Sequence, residues 1–189
     1  MRHLVTASTL AVVCCLSLTA CTDSDDRSAP EPSPRATLRL GQSADTTGVG
    51  GEGEARITPD TVVYADRTGF GAPEHGLFAV VTYQSRNRTT SRVTTTAGQG
   101  GWRWEAAGGR TVTEGNSGAA TDVAPIGFSE GGAALPPEVG HQDVAVFDIA
   151  AAERGGTLVY VDGDGTAFRW KIPASDSGAA VPALKFALD

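Results

Sequence analysis

Ser129 stands at the centre of 127–131 (GFSEG), which fits the G-x-S-x-G pattern of a nucleophile elbow. There a serine attacks an acyl carbon from a strained strand-to-helix turn, with a histidine as base and a carboxylate to orient it. The surroundings oppose that use. Gly132 and then Pro136 and Pro137 leave no room for the helix, His141 is the only histidine downstream, and no Asp separates it from Ser129. Ser117, in 115–118 (GNSG), is a second candidate nucleophile with His75 as its base. No Asp lies in 76–116, so only Glu105 and Glu114 could complete that set. Asp162 begins 162–165 (DGDG), the opening of a calcium loop, but the twelfth position is Pro173 rather than the bidentate Glu such a loop requires. A hairpin turn is the better expectation, because Asp-Gly accepts the positive φ that a tight turn needs. His75 and His141 fall beside Gly and Pro, and nothing in their spacing joins them into a three-ligand metal site. The expectation is a chain with no catalytic residue, no metal site and no cofactor. A small secreted serine hydrolase and a solute- or metal-binding protein are the alternatives.

Two patterns suit recognition rather than reaction. Residues 86–96 (RNRTTSRVTTT) gather Arg86, Arg88 and Arg92 in a chain whose 15 basic and 22 acidic residues leave a net charge of −7. A solvated edge strand or loop is the default, with the charges discouraging edge pairing. These three arginines are also the candidate interaction surface for a protein or an acidic cell-wall polymer. Trp102 and Trp104 point to one side of a strand, either as an exposed recognition face or as core, with core favoured. A pI near 4.9 excludes an electrostatic nucleic-acid binder, since no basic face could neutralise a run of phosphates.

The elements that must position these residues are strands. In 77–83 (LFAVVTY) Leu77, Ala79, Val81 and Tyr83 fall on one face, with Phe78 and Val80 on the other. Residues 102–105 and 168–172 alternate in the same way, the period of a half-buried strand. The runs 144–149 and 158–161 are apolar on both faces, which places them nearer the middle of a sheet. Shorter runs at 38–40, 56–57 and 62–65 bring the total to seven or eight strands. The only helix-like stretch is 149–154, and no long helix–strand alternation is present. An all-β antiparallel sandwich over 37–173 is therefore predicted. Residues 174–178 break the pattern, and within the tail at 174–189 the run 181–188 is either one more strand or a short docked segment.

Before the sandwich, Arg2 and His3 precede an uncharged apolar run at 4–20, the layout of an export signal. Leu18-Thr19-Ala20-Cys21 then resembles the bacterial lipobox, which implies cleavage after residue 20 and acylation of Cys21. Cys14 and Cys15 leave with residues 1–20, so the mature chain keeps one thiol and forms no internal disulfide. Its net charge becomes 14 − 22 = −8, so overall charge resists non-specific sticking to anionic lipid and the anchor is expected from the acyl chains. Residues 21–36 carry Asp23, Asp25, Asp26 and three prolines without a large apolar side chain, the composition of a disordered tether.

Taken in order, the strand at 77–87, the strand entering a Gly turn at 102–109, the Leu135-Pro136-Pro137 approach to Val146-Phe147-Asp148-Ile149 and the closing hairpin at 157–172 resemble a known family. It is the immunoglobulin-like domain of unknown function found in lipoproteins and secreted proteins of Gram-positive bacteria, especially actinobacteria. A strong preference for Arg over Lys, with only Lys171 and Lys185, fits a GC-rich genome of that kind. The family usually has Gly straight after the prolines, where this chain has Glu138. The resemblance implies an extracytoplasmic, lipid-anchored module without established catalytic residues, acting by binding or scaffolding.

Overall fold

Period-two alternation from Leu77 onward builds the strand on which the rest is assembled. The computed structural model describes residues 36–129 and 131–189. Strand β4 (Leu77–Asn87) lies between β3 (Glu54–Ala65) and β9 (Gly140–Ile149), and β2 (Ala44–Thr47) completes a four-stranded antiparallel sheet in the order β2-β3-β4-β9. The facing sheet runs β1-β11-β10-β6-β7, from β1 (Leu38–Arg39), β11 (Ala167–Lys171), β10 (Thr157–Val161), β6 (Trp102–Glu105) and β7 (Thr111–Thr113). Its pairs are antiparallel except for the short parallel contact of β1 with β11. A separate pair joins β5 (Val93–Thr94) to β8 (Ala134–Leu135). Eleven strands thus form among the described residues, more than the seven or eight expected, because several have only two to four residues and show no alternation to read.

The two sheets face each other across an aromatic seam. Trp102, Trp104 and Trp170 are fully buried, which settles the tryptophan pair as core. Tyr83 of β4 lies 4.8 Å from Trp102 of β6, ring centre to ring centre, and Trp104 lies 5.8 Å from Phe147 of β9. Each such ring removes on the order of 200 Å² from water, about 5 kcal/mol of gross burial at 25 cal/mol per Å². Leu77, Ala79, Val81 and Tyr83 all join this core, as the alternation predicts.

The opposite face of β4 is buried as well. Phe78 and Val80 pack with Val63, Val144 and Val146 beneath two helices, α1 (Gly118–Asp122) and α2 (Val181–Leu188). The segment expected as a strand or docked tail is therefore a docked helix, with Leu184 and Leu188 against the sheet and Pro182 in the first turn, where its missing N–H costs nothing. The helix-like stretch at 149–154 is only a single 3-10 turn at Ala151–Glu153.

Covering by helices explains a second correction. The run 144–149, apolar on both faces, lies in β9 at the edge of its sheet and not in the middle, because α1 closes the face that would otherwise meet water. The run 158–161 does lie centrally, in β10. The short runs 56–57 and 62–65 belong to one strand, β3, whose register shifts between Pro59 and Thr61. Asp60 is the extra residue of this bulge, so Ile57 before it and Val62 and Tyr64 after it all reach the same core.

Candidate functional site

The lower edge of β9 opens into a cleft of about 370 Å³. Its chemistry comes from Glu114, Asp143 and Tyr83, and its walls from small residues, among them Ala97, Gly98, Gly100 and Ala120. The run 114–117 is fixed there by hydrogen bonds to the strand edge. The Glu114 N–H donates to Trp102 O (3.2 Å) and the Gly115 N–H to Val146 O (2.9 Å). Gly115 has a φ of +64°, the left-handed conformation that turns the chain toward β9. Asn116 then acts as a substitute strand: its Nδ2 donates to Asp148 O (2.9 Å) and its Oδ1 accepts from Asp148 N (2.8 Å). Ser117 Oγ accepts from Ala120 N (3.0 Å) and caps α1.

On the strand side Asp143 is in register with Tyr83, and its Oδ1 accepts from Val144 N (2.9 Å). The Glu114 carboxyl does not titrate as a free one would. Burial first, and the Asp143 charge second, push the Glu114 carboxyl from 4.5 up to about 8. Burial, with the charges of Asp143 and Glu114 added, likewise raises the Tyr83 hydroxyl far above its usual range. At neutral pH the cleft thus holds a protonated carboxyl beside a second carboxyl group and a phenol, an arrangement suited to holding or exchanging a proton and to receiving a cationic group.

A second cluster surrounds Asp148, whose side chain is fully buried. Burial raises its carboxyl, but the N–H groups of Glu74 (2.6 Å) and His75 (2.8 Å), the Ser117 hydroxyl and the His75 ring together bring it below the ordinary value. His75 Nδ1 stands 3.4 Å from Asp148 Oδ1. The fold thus gathers His75, Ser117 and an Asp that sequence spacing could not supply. Their order is wrong for nucleophile activation, because the carboxylate lies between the hydroxyl and the imidazole, whereas the imidazole must bridge the other two.

Ser129 lines the Glu114 cleft and is exposed, in a loop that follows α1 and leads to β8; Glu130 of the same motif lies outside the described residues. The 162–165 run is the β10–β11 hairpin turn. Its Asp162 carboxylate accepts from the N–H groups of Asp164, Thr166 and, from β2, Thr47. His141 pairs in register with Ser85 at one end of β9, while His75 lies against Asp148, seven residues along the strand and roughly 24 Å away at 3.4 Å per residue. Among the described residues no group of three His, Cys, Asp or Glu side chains could hold a metal.

Arg86, Arg88 and Arg92 are all exposed. Of the run expected as a solvated edge strand or loop, Arg88 and Arg92 lie in the loop after β4, while Arg86 is the last residue but one of β4, in register with Arg56 on one side and Gly140 on the other. Cys21 and the tether as far as residue 35 lie outside the described residues, and among those described no helix is long and apolar enough to cross a membrane. The cleft carboxyls escape sequence reading because residues 29 apart along the chain meet only through the β4–β9 register and the Gly115 turn. Asp148 left a clearer trace, as the one charged residue in an apolar run.

Fold and cleft together define a two-sheet β-sandwich whose outer face is covered by helices and whose edge strand opens into an acidic cleft. The yjhA protein from Bacillus subtilis has a similar fold, with a TM-score of 0.52 at 13% identity over 72% of this chain and 99% of that one. A "putative lipoprotein (ycdA)" from Bacillus subtilis gives a TM-score of 0.48 at 12% identity, over 77% of this chain and 41% of that one. A conserved hypothetical protein from Bacillus anthracis gives 0.44 at 15% identity. No family model matches the chain, and no curated protein matches it in sequence.

Proposed function

We propose that the protein is a lipid-anchored, extracytoplasmic binding module. In this reading acyl groups on Cys21 attach it to the cell membrane, residues 21–36 carry the body away from the surface, and an immunoglobulin-like sandwich presents its cleft to a small ligand bearing a cationic group. Two mainly antiparallel sheets over a buried aromatic core support the immunoglobulin-like part. The observation that carries the binding function is the Glu114–Asp143 cleft: a cation entering it displaces the proton that burial holds on Glu114. No enzymatic role is included, because the Ser117 hydroxyl is engaged by Asp148 and by the cap of α1.

Chemical-shift mapping with small primary amines at pH 6 and pH 9 tests the cleft. Shifts at the amides of Gly98, Gly100 and Gly115, stronger at pH 9 and lost in Glu114→Gln, are expected. No shift at either pH refutes the reading. The anchor is tested separately by labelled palmitate, which should enter the wild type and not Cys21→Ala. Ser129 at the cleft wall favours one rival, a small serine hydrolase, and stoichiometric fluorophosphonate labelling lost in Ser129→Ala would establish it instead.

A further inference from the structure

A second cavity, about 600 Å³, lies where β1 and β11 meet the loop after Ala151–Glu153 and shares no lining residue with the acidic cleft. Its charged lining is mostly cationic: Arg39, Arg154 and Lys171 against Asp60 alone. That is a marked local excess in a chain of net charge −7. Arg39 and Lys171 are register partners on adjacent strands, so two like charges stand side by side on one face. Such a pair destabilises a sheet unless something anionic lies between its members.

Nothing among the described residues plays that part. Lys171 Nζ donates to a backbone carbonyl, Gly155 O, at 2.8 Å. The Arg154 guanidinium lies over the Tyr64 ring, 5.1 Å from its centre, with Asp176 near enough to feel its charge. The Asp60 carboxylate is engaged by the Thr82 hydroxyl and by Gln84 Nε2. Among the described residues no carboxylate forms an ion pair with any of the three cations. Between them the groove is apolar, with Leu40, Ile172 and Pro173 contributing. A cationic rim around an apolar floor matches an anion attached to an apolar body.

The position of the groove selects the source of that anion. The described chain begins at Ala36, three residues before Arg39, so the groove opens within roughly 10 Å of the point where residues 1–35 join the body. We propose that this groove binds the phosphate of an anionic phospholipid headgroup and so orients the body against the membrane. The choice of a lipid rests on the anchor reading above, since fifteen residues from Cys21 to Ala36 reach at most about 50 Å. Arg39, Arg154 and Lys171 contact the phosphate, and none of the three lines the acidic cleft.

The test uses the unacylated chain from Thr22 onward, which contains the whole two-sheet body, so its outcome is independent of whether Cys21 is modified. Co-flotation is measured with vesicles of phosphatidylglycerol and of phosphatidylcholine at low salt. Preferential binding to the anionic vesicles is expected. Neutralising all three side chains (Arg39→Gln, Arg154→Gln, Lys171→Gln) should weaken it about a hundredfold, about fivefold per charge. Neutralising Arg86, Arg88 and Arg92 instead should leave it nearly unchanged. All six residues are exposed, so an unaltered melting temperature verifies that neither variant is misfolded. Equal binding to both vesicle types, or equal loss in both triple variants, overturns the proposal. So does inorganic phosphate binding in the groove without vesicle binding, which would make the ligand a soluble anion. Palmitate labelling reports on the anchor alone, so the two readings fail separately.

Discussion

Replacing Glu114 by Gln should make the protein more stable in alkali and almost unchanged in mild acid. The native carboxyl titrates at about 8, against 4.5 for an ordinary glutamate, so between those values the folded chain holds a proton that the unfolded chain has released. Stability must then fall as pH rises through that window. The full difference corresponds to about 5 kcal/mol. The Asp143 charge supplies part of the shift and the cleft mouth admits water, which brings the expected effect to about 2–3 kcal/mol. Gln keeps the shape and cannot ionise. Urea unfolding at five pH values from 5 to 9 reads the effect directly. Wild type and variant should lie closest at pH 5, separate through the window and level off above pH 8, the variant being more stable by about 2–3 kcal/mol at pH 9. Curves that stay parallel across the range would refute the claim that burial holds the proton there.

Three further outcomes follow from other parts of the molecule. Asp148→Ala leaves the Glu74 and His75 N–H groups and the Ser117 hydroxyl without their acceptor, and should cost about 3 kcal/mol in urea unfolding at pH 7. Because the native Asp148 carboxyl lies below its ordinary 3.8, its contribution is present above that value and is lost as pH falls through the native one, so the variant should also lose part of the acid sensitivity. Glu138 is the one non-glycine residue with positive φ (+59°) among those described, and Glu138→Gly should raise the melting temperature by about 1–3 °C; a fall would contradict the strain. Leu184→Ala removes the fully buried contact of α2 with the sheet and should cost about 3 kcal/mol, with dye binding at the uncovered Phe78 and Val80 face as the accompanying signal.

The sandwich was legible wherever alternation ran for four residues or more, as in 77–83, 102–105 and 168–172. It was obscured where tertiary cover changes the pattern. Val144 to Ile149 is apolar on both sides because α1 closes one of them, which imitates a central strand. The helix at Val181–Leu188 did leave a trace: Val181, Leu184 and Leu188 recur at spacings of three and four behind a proline suited to a first turn. In so short a run the strand reading competed with it. The position after the double proline is left-handed, where a glycine is unstrained and Glu138 is not. Neither the acidic cleft nor the cationic groove could be read in advance. Each joins residues that are distant along the chain and adjacent only once strand register is fixed, as Tyr83 with Asp143 and Arg39 with Lys171.

All three tryptophans of the chain lie in the seam between the sheets, and the helix-covered outer layer has none. Intrinsic fluorescence therefore observes one half of the molecule. Sheet separation will redden and dim the emission, while α2 can detach from its face without any optical signature. A melt followed at the indole band and one followed by amide exchange along Val63, Phe78 and Val80 need not coincide, and the gap between them measures how independently the back layer opens.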